Sequence, residues 1–320
     1  MHHTTYTLTF MTRRLSLAFI TTILILAGCR NNQTCTSPTL EQQLYNIVNQ
    51  APGTVGVAFV SDNDTVLINN GVHYAMMSVF KLHEALAVSN ALERQGSTSD
   101  SIISIASSEL DRNTWSPMLK EYGDKDFNIS IKELINYAIV SSDNNASNLL
   151  FKKIISPTDA GRFIKSIAAD TTFAIVYSEA DMKQNHELSY CNYSSPLSAS
   201  LLIKQIFTSD IVSGPHQEAI KHALATVTTG HDRLGAAIVG NDEVLFAHKT
   251  GSGYRNNRGE LVAFNDVAYF RLPDGRDYSL AVMIRDFSGS EAEAAAIMSE
   301  ISKTVYSFVS GQSYQNNNIE

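Results

Sequence analysis

Regular patterning begins at Thr39. Leu40, Leu44, Ile47 and Val48 recur at helical spacing behind a threonine suited to cap the first turn, and Pro52-Gly53 stops that helix. Thr54–Val60 and Thr65–Asn69 then alternate in polarity and are rich in β-branched residues. The polar run Ser61-Asp62-Asn63-Asp64 between them reads as a hairpin turn. From about Ser78 to Leu224 the period becomes helical. Val79–Leu92, Ile131–Ile139 and Ala146–Ile155 are predicted helices, and Ser195-Pro196 opens another through Phe207, with Ser as N-cap and Pro at the first helical position. Asp170 to Ser194 is a long polar stretch with little periodicity; inside a compact domain such loops are usually functional or disordered. Strand character returns at Val244–Thr250, Leu261–Leu272 and Tyr278–Arg285, with Pro273-Asp274-Gly275 as the last turn. Glu291–Val309 forms a closing amphipathic helix, followed by a tail, Gly311–Glu320, expected to be disordered.

This order predicts an α/β (α+β) fold. One five-stranded antiparallel sheet is built from both ends of the chain and flanked by helices, with an all-helical lobe inserted between. The expected divisions are a leader (1–28), a tether (29–38), an α/β lobe (39–74 and 228–310), a helical lobe (75–227) with an Ω-type loop at about 170–194, and a tail (311–320). A cleft between the lobes is where a small-molecule site belongs.

The leader carries Arg13 and Arg14 ahead of the apolar stretch Leu15 to Leu26, which is short for a membrane span. Met11 just before them raises the possibility that residues 1–10 are an over-extended start. Leu26-Ala27-Gly28-Cys29 resembles the bacterial lipobox, which implies acylation of Cys29; the competing reading is an ordinary secretory signal. Cys35 and Cys191 are the other two cysteines, and either a bridge or two independent thiols fits an oxidising compartment. Three cysteines exclude a zinc ribbon, and no H-x-H-x-D or H-E-x-x-H run is present, so no metal or cofactor is expected. The net charge of −8 argues against a nucleic-acid surface.

Three short motifs carry chemistry. In Ser78-Val79-Phe80-Lys81, a helix start would set Lys81 one turn from the Ser78 hydroxyl, and burial would fit that lysine to act as a base. In Ser142-Asp143-Asn144, the Ser142 hydroxyl could relay a proton to a leaving nitrogen, while Asn144 holds Lys81 and a substrate carbonyl. Lys249-Thr250-Gly251, with Ser252-Gly253, ends a strand. Its cation and hydroxyls suit a substrate carboxylate, and the N–H groups of Ser78 and Ser252 suit an oxyanion. Each motif alone is weak: a helix start, a capping cluster, a glycine turn.

Together and in this order they resemble the penicilloyl serine transferase superfamily. Two further segments resemble its class A β-lactamase branch. Tyr177-Ser178-Glu179-Ala180-Asp181-Met182 sits where that branch has its Ω loop and deacylating Glu179, and Trp115-Ser116-Pro117 resembles the aromatic segment at the cleft mouth. Core packing is the competing reading for Trp115. Glu179-x-x-Met182 and His248 before the KTG look like the Bacteroides-type extended-spectrum cephalosporinases, and Arg233 resembles their carboxylate-binding arginine. A solvated surface arginine is the alternative there, because Gly240-Asn241-Asp242 stretches the spacing to Lys249.

The resemblance implies a β-lactamase acting on penicillins and cephalosporins through a Ser78 acyl-enzyme, released by water that Glu179 activates. The alternatives are a D-Ala-D-Ala peptidase or penicillin-binding protein, or a β-lactam-sensing lipoprotein. It further implies a monomer in the periplasm of a Gram-negative bacterium, held at the outer membrane by lipid on Cys29. One position departs from the pattern. Where many class A enzymes have an asparagine four residues after the catalytic glutamate, this chain has Lys183. Either the loop is arranged differently, or Lys183 points away and another group holds the water.

Overall fold

The Thr39 hydroxyl accepts from Gln42 N–H while the Gln42 side chain accepts from Thr39 N–H, closing a capping box on α1 (Leu40–Val48). In this computed structural model, residues 1–2, 38–123 and 125–311 are described. The rest of the leader, the lipobox with Cys29, the tether with Cys35 and the tail beyond Gly311 lie outside the described residues. Cys191 is exposed.

Five strands form the main sheet: β1 (Thr54–Ser61), β2 (Thr65–Ile68), β3 (Leu245–Ser252), β4 (Phe264–Arg271) and β5 (Asp277–Arg285). Their order is β2-β1-β5-β4-β3, antiparallel throughout. The C-terminal β5 pairs with the N-terminal β1, Val57 opposing Val282, so both chain ends share one sheet. Side chains alternate between two cores. Val55, Val57, Phe59, Leu280, Val282 and Ile284 pack with Leu44 of α1 and with Met298 and Ile301 of the closing helix. Ala247, Val267, Tyr269, Ala281 and Met283 face the helical lobe instead. Burial on both faces makes β1 and β5 nearly continuous buried runs, where alternation is expected of Thr54–Val60. The predicted strand at Leu261 starts later, at Phe264, because Leu261 only bridges Arg255 and Phe287.

The helices that follow α1 are α2 (Phe80–Arg94), α3 (Pro117–Tyr122), α4 (Ile131–Val140), α5 (Asn144–Lys153), α6 (Pro157–Ile167), α7 (Glu179–Gln184), α8 (Pro196–Thr208), α9 (Gly214–Ala225) and α10 (Glu291–Ser310). Every residue of α2 from Phe80 to Ser89 is buried, as befits a central helix. Four helices were not anticipated. α3 and α7 are six residues each, too short to show a period. α6 and α9 bury narrow faces built from small or polar residues, Ala160 and Gly161 in one and His216 and Gln217 in the other. The stretch from Asp170 to Ser194 is ordered: it holds α7, a 3-10 helix (His186–Cys191) and two short strands, Phe173–Ala174 and Tyr193–Ser194.

Candidate active site

Ser78 sits in a 3-10 turn, Met77–Val79, that runs directly into α2. Met77, just before it, has φ +46°, a left-handed conformation uncommon for a bulky residue and of the kind that clusters at functional sites. Helical geometry then sets Lys81 beside Ser78, with Nζ 3.1 Å from Ser78 Oγ. Lys81 is fully buried. Its ammonium donates to Asn144 Oδ1 (2.7 Å) and to Ser142 O (2.9 Å), and lies 3.0 Å from Glu179 Oε1. The same Glu179 oxygen is 3.3 Å from Ser78 Oγ. Serine, lysine and carboxylate thus meet within hydrogen-bond reach, from segments 101 residues apart.

The Ser142 segment is held by Asp143. Buried between α3 and α5, its carboxylate accepts from Ser116 Oγ and from the N–H groups of Met118 and Ala146. Burial pushes its pKa up, and these hydrogen bonds pull against that shift. Ser142 itself has φ +58°, which turns its carbonyl to Lys81 and its hydroxyl to Lys249 Nζ, 3.0 Å away. Lys249 is fully buried. Burial first, then the charge of Lys81, hold its pKa well below the usual lysine value.

Strand β3 reaches Ser78 because Gly251 has no side chain. A Cβ there would lie 2.3 Å from Met76 O. Asn265, on β4, donates to Ala75 O (2.8 Å) and Met76 O (3.2 Å), locking the same approach. Gly230, at φ +72°, likewise lets its segment close on Thr250, where Thr229 Oγ1 lies 2.7 Å from Thr250 Oγ1.

A family model described as "Beta-lactamase enzyme family" matches residues 39–309. A β-lactamase of Phocaeicola vulgatus is 41% identical over 271 residues, covering 84% of each chain. The extended-spectrum β-lactamase PER-1 of Pseudomonas aeruginosa is 31% identical over 290 residues, 90% of this chain and 92% of that one. A crystal structure of a class A β-lactamase from Bacteroides cellulosilyticus superposes with a TM-score of 0.79 at 30% identity, covering 85% of this chain and 98% of the other. The chain belongs to the β-lactamase enzyme family. It is a class A serine β-lactamase, a hydrolase of β-lactams.

Three residues whose sequence readings had competitors are now located in the β-lactamase. Arg233 is buried, not solvated. Its guanidinium lies 3.6 Å from the centre of the Phe264 ring and donates to Ser252 Oγ and Asn265 O, each at 2.7 Å. The Gly240-Asn241 turn follows the 3-10 helix Leu234–Ala237, beyond Arg233. Trp115 is 54% exposed, which removes the core reading. Its indole N–H donates to Ser141 O at 2.8 Å, so the ring stands beside the Ser142 segment. Lys183 turns away from Glu179 and pairs with Asp111, also donating to Asn113 O (2.6 Å). It thereby ties α7 to the loop 111–113, while Asn148 on α5 accepts from Ala180 N–H at 2.9 Å.

Two residues the motifs did not name complete the site. Asp266 lies 2.9 Å from His248 Nδ1 and accepts from Leu234 N–H, and it also acts on Lys249. The signal for it was the polar pair Asn265-Asp266 inside an otherwise apolar strand. Asn192, fully buried, accepts from the N–H groups of Val176 and Tyr177 and donates to Tyr177 O, while its own carbonyl accepts from Met76 N–H. It couples the Ω-type loop to the segment before Ser78, and nothing in its sequence context marked it.

Proposed function

We propose that this β-lactamase opens penicillins and cephalosporins through an ester on Ser78. The observation that carries this reading is that Ser78 Oγ lies within reach of Lys81 Nζ and Glu179 Oε1 at once. Lys81, on passing a proton to Glu179, takes the proton of Ser78 as its oxygen attacks the lactam carbonyl. The N–H groups of Ser78 and Ser252 stabilise the oxyanion. Ser142 Oγ, accepting from Lys249, keeps its own proton free for the departing nitrogen. Lys249, Thr250, Ser252 and Arg233 hold the substrate carboxylate, Asn144 its amide, and Trp115 packs against its side chain. Lys81 passes the Ser78 proton on to Ser142 and recovers its own from Glu179, so Glu179 is again a carboxylate and draws a proton from water as that water attacks the ester. An enzyme that only acylates has no use for a carboxylate at that distance, so the geometry favours hydrolysis over a peptidase or a sensor.

The test is Glu179→Gln followed by intact-mass analysis with a chromogenic cephalosporin. Wild type turns over continuously; the variant acylates and accumulates the adduct. A variant that hydrolyses like wild type overturns the role of Glu179. We also propose that the protein is a monomer anchored by lipid on Cys29 at the periplasmic face of the outer membrane. The support is the Leu26-Ala27-Gly28-Cys29 run behind Arg13-Arg14. Cys29→Ala should release the active protein into the soluble fraction; unchanged membrane association refutes the anchor.

A further inference from the structure

Glu84 lies three residues beyond Lys81 on α2, on the same face of the helix. It is fully buried, and neither carboxyl oxygen has a hydrogen-bond partner among the described residues. The natural cation for it is Lys81, yet Lys81 is already committed. An ammonium has three N–H groups, and Ser142 O, Asn144 Oδ1, Glu179 Oε1 and Ser78 Oγ already compete for them at 2.7 to 3.1 Å. A buried carboxylate without a partner costs several kcal/mol, by order of magnitude, and avoids that cost by taking a proton.

Its surroundings agree. The groups acting on it are Lys81 on its own helix, Glu179 from α7 and the hydroxyl of Ser147 from α5, which faces it without completing a hydrogen bond. Its neighbour His83, also buried, has its pKa pushed down to about 4 by burial and brings no positive charge at neutral pH. Burial raises the pKa of Glu84 well above the ordinary carboxylate range; the Ser147 hydroxyl and the charge of Lys81 pull against that rise, and the negative charge of Glu179 adds to it.

We propose that Glu84 is held as a neutral carboxylic acid beneath Lys81, leaving Glu179 as the carboxylate that takes the Lys81 proton. A second ionised carboxylate there would hold Lys81 as an ammonium and take it out of proton transfer to and from Ser78. This rests on Lys81 and Glu179 being the working pair at Ser78. That reading is tested separately by the Glu179→Gln adduct, whereas the proton on Glu84 is read by the pH dependence of stability and by the infrared band of its carboxyl.

The sign of the test follows from linkage. A carboxyl whose pKa is raised on folding stabilises the protein fully below its unfolded pKa of about 4.3, and the contribution fades as pH rises toward the folded value. Glu84→Gln carries no such titration. The Tm of the variant minus that of wild type should therefore rise steadily from about pH 5 to about pH 8. The pH profile of kcat/KM should keep its acid limb, with the value near neutrality within about threefold of wild type. A Tm difference that stays flat or falls with pH, or a loss of more than about tenfold in kcat/KM near pH 7, overturns the proposal, because an ionised Glu84 paired with Lys81 gives that result. Should the variant not fold, wild type decides alone. Its infrared spectrum at neutral pH should contain the band of a buried protonated carboxyl, and its absence overturns the proposal.

Discussion

Gly251→Ala isolates the contact on which the site's geometry depends. The added Cβ would stand 2.3 Å from Met76 O, 3.1 Å from Val79 Cγ2 and 3.2 Å from Val79 N, where ordinary contact begins at 3.4 Å. The strand or the turn must therefore withdraw by about 1 Å. Neither yields readily. Met76 is tied through its N–H to Asn192 O and through its carbonyl to Asn265, and Gly251 is paired with Asn265 in the sheet. The withdrawal parts Ser252 N–H from Ser78 N–H, the two donors assigned to the oxyanion. A misplacement of about 1 Å costs roughly 10²-fold, similar to the loss of one oxyanion donor. Overpacking of this kind costs about 1–3 kcal/mol, which lowers Tm by roughly 2–5 °C in a chain of this size. Steady-state hydrolysis, the rate of adduct formation by mass and thermal melting together check both figures. Gly275→Ala is the control. That glycine has φ +88° in the β4–β5 turn with nothing within 4 Å, so alanine costs about 1 kcal/mol there and leaves kcat/KM alone. A folded Gly251→Ala within about threefold of wild type, or an equal loss in Gly275→Ala, would refute the reasoning.

Arg233→Lys keeps the charge but loses the planar stack on Phe264 and the paired donation to Ser252 and Asn265. KM should rise about tenfold with kcat less affected; equal parameters would mean that the guanidinium is dispensable. Lys183→Met removes a half-exposed ion pair worth about 0.2–1 kcal/mol, so adduct decay should slow less than about fivefold. A hundredfold slowing would show that Lys183 works on the water after all.

What the sequence revealed follows from the range of its signals. The sheet's five strands and helices α1, α2, α4, α5, α8 and α10 were legible because each buries a continuous stripe that its own residues spell out. The three motifs were legible because helical spacing and strand ends fix their local geometry. Their convergence was not local. Lys249 reaches Ser142 across 107 residues and Glu179 reaches Ser78 across 101, and only the pairing of β5 with β1 and the packing of α2 among the helices bring them together. For the same reason Lys183 could not be resolved from sequence. Its partner Asp111 is 72 residues away, on a loop with no pattern of its own. Glu84 is the reverse case, a charge in plain view within an apolar helix, whose meaning depends on Lys81 having no bond left to give.

The balance of charge around Ser78 explains why the site suits its substrate. Lys81, Lys249 and Arg233 are all buried, and burial lowers the pKa of both Lys249 and Arg233. Glu179 offsets Lys81 at 3.0 Å, and Asp266 acts on Lys249 and Arg233 while lying 2.9 Å from His248. Three buried cations stand against Glu179 and Asp266, which leaves the Lys249 end of the cleft short of negative charge. A ligand carboxylate set beside Lys249, Ser252 and Arg233 supplies it, and the ammonium form of Lys249 gains stability as the ligand seats. That ammonium in turn donates to Ser142 Oγ, the hydroxyl assigned to protonate the leaving nitrogen. Binding of the carboxylate and readiness of the proton donor are therefore joined through one buried lysine, so a substrate lacking the carboxylate should lose rate in acylation as well as affinity.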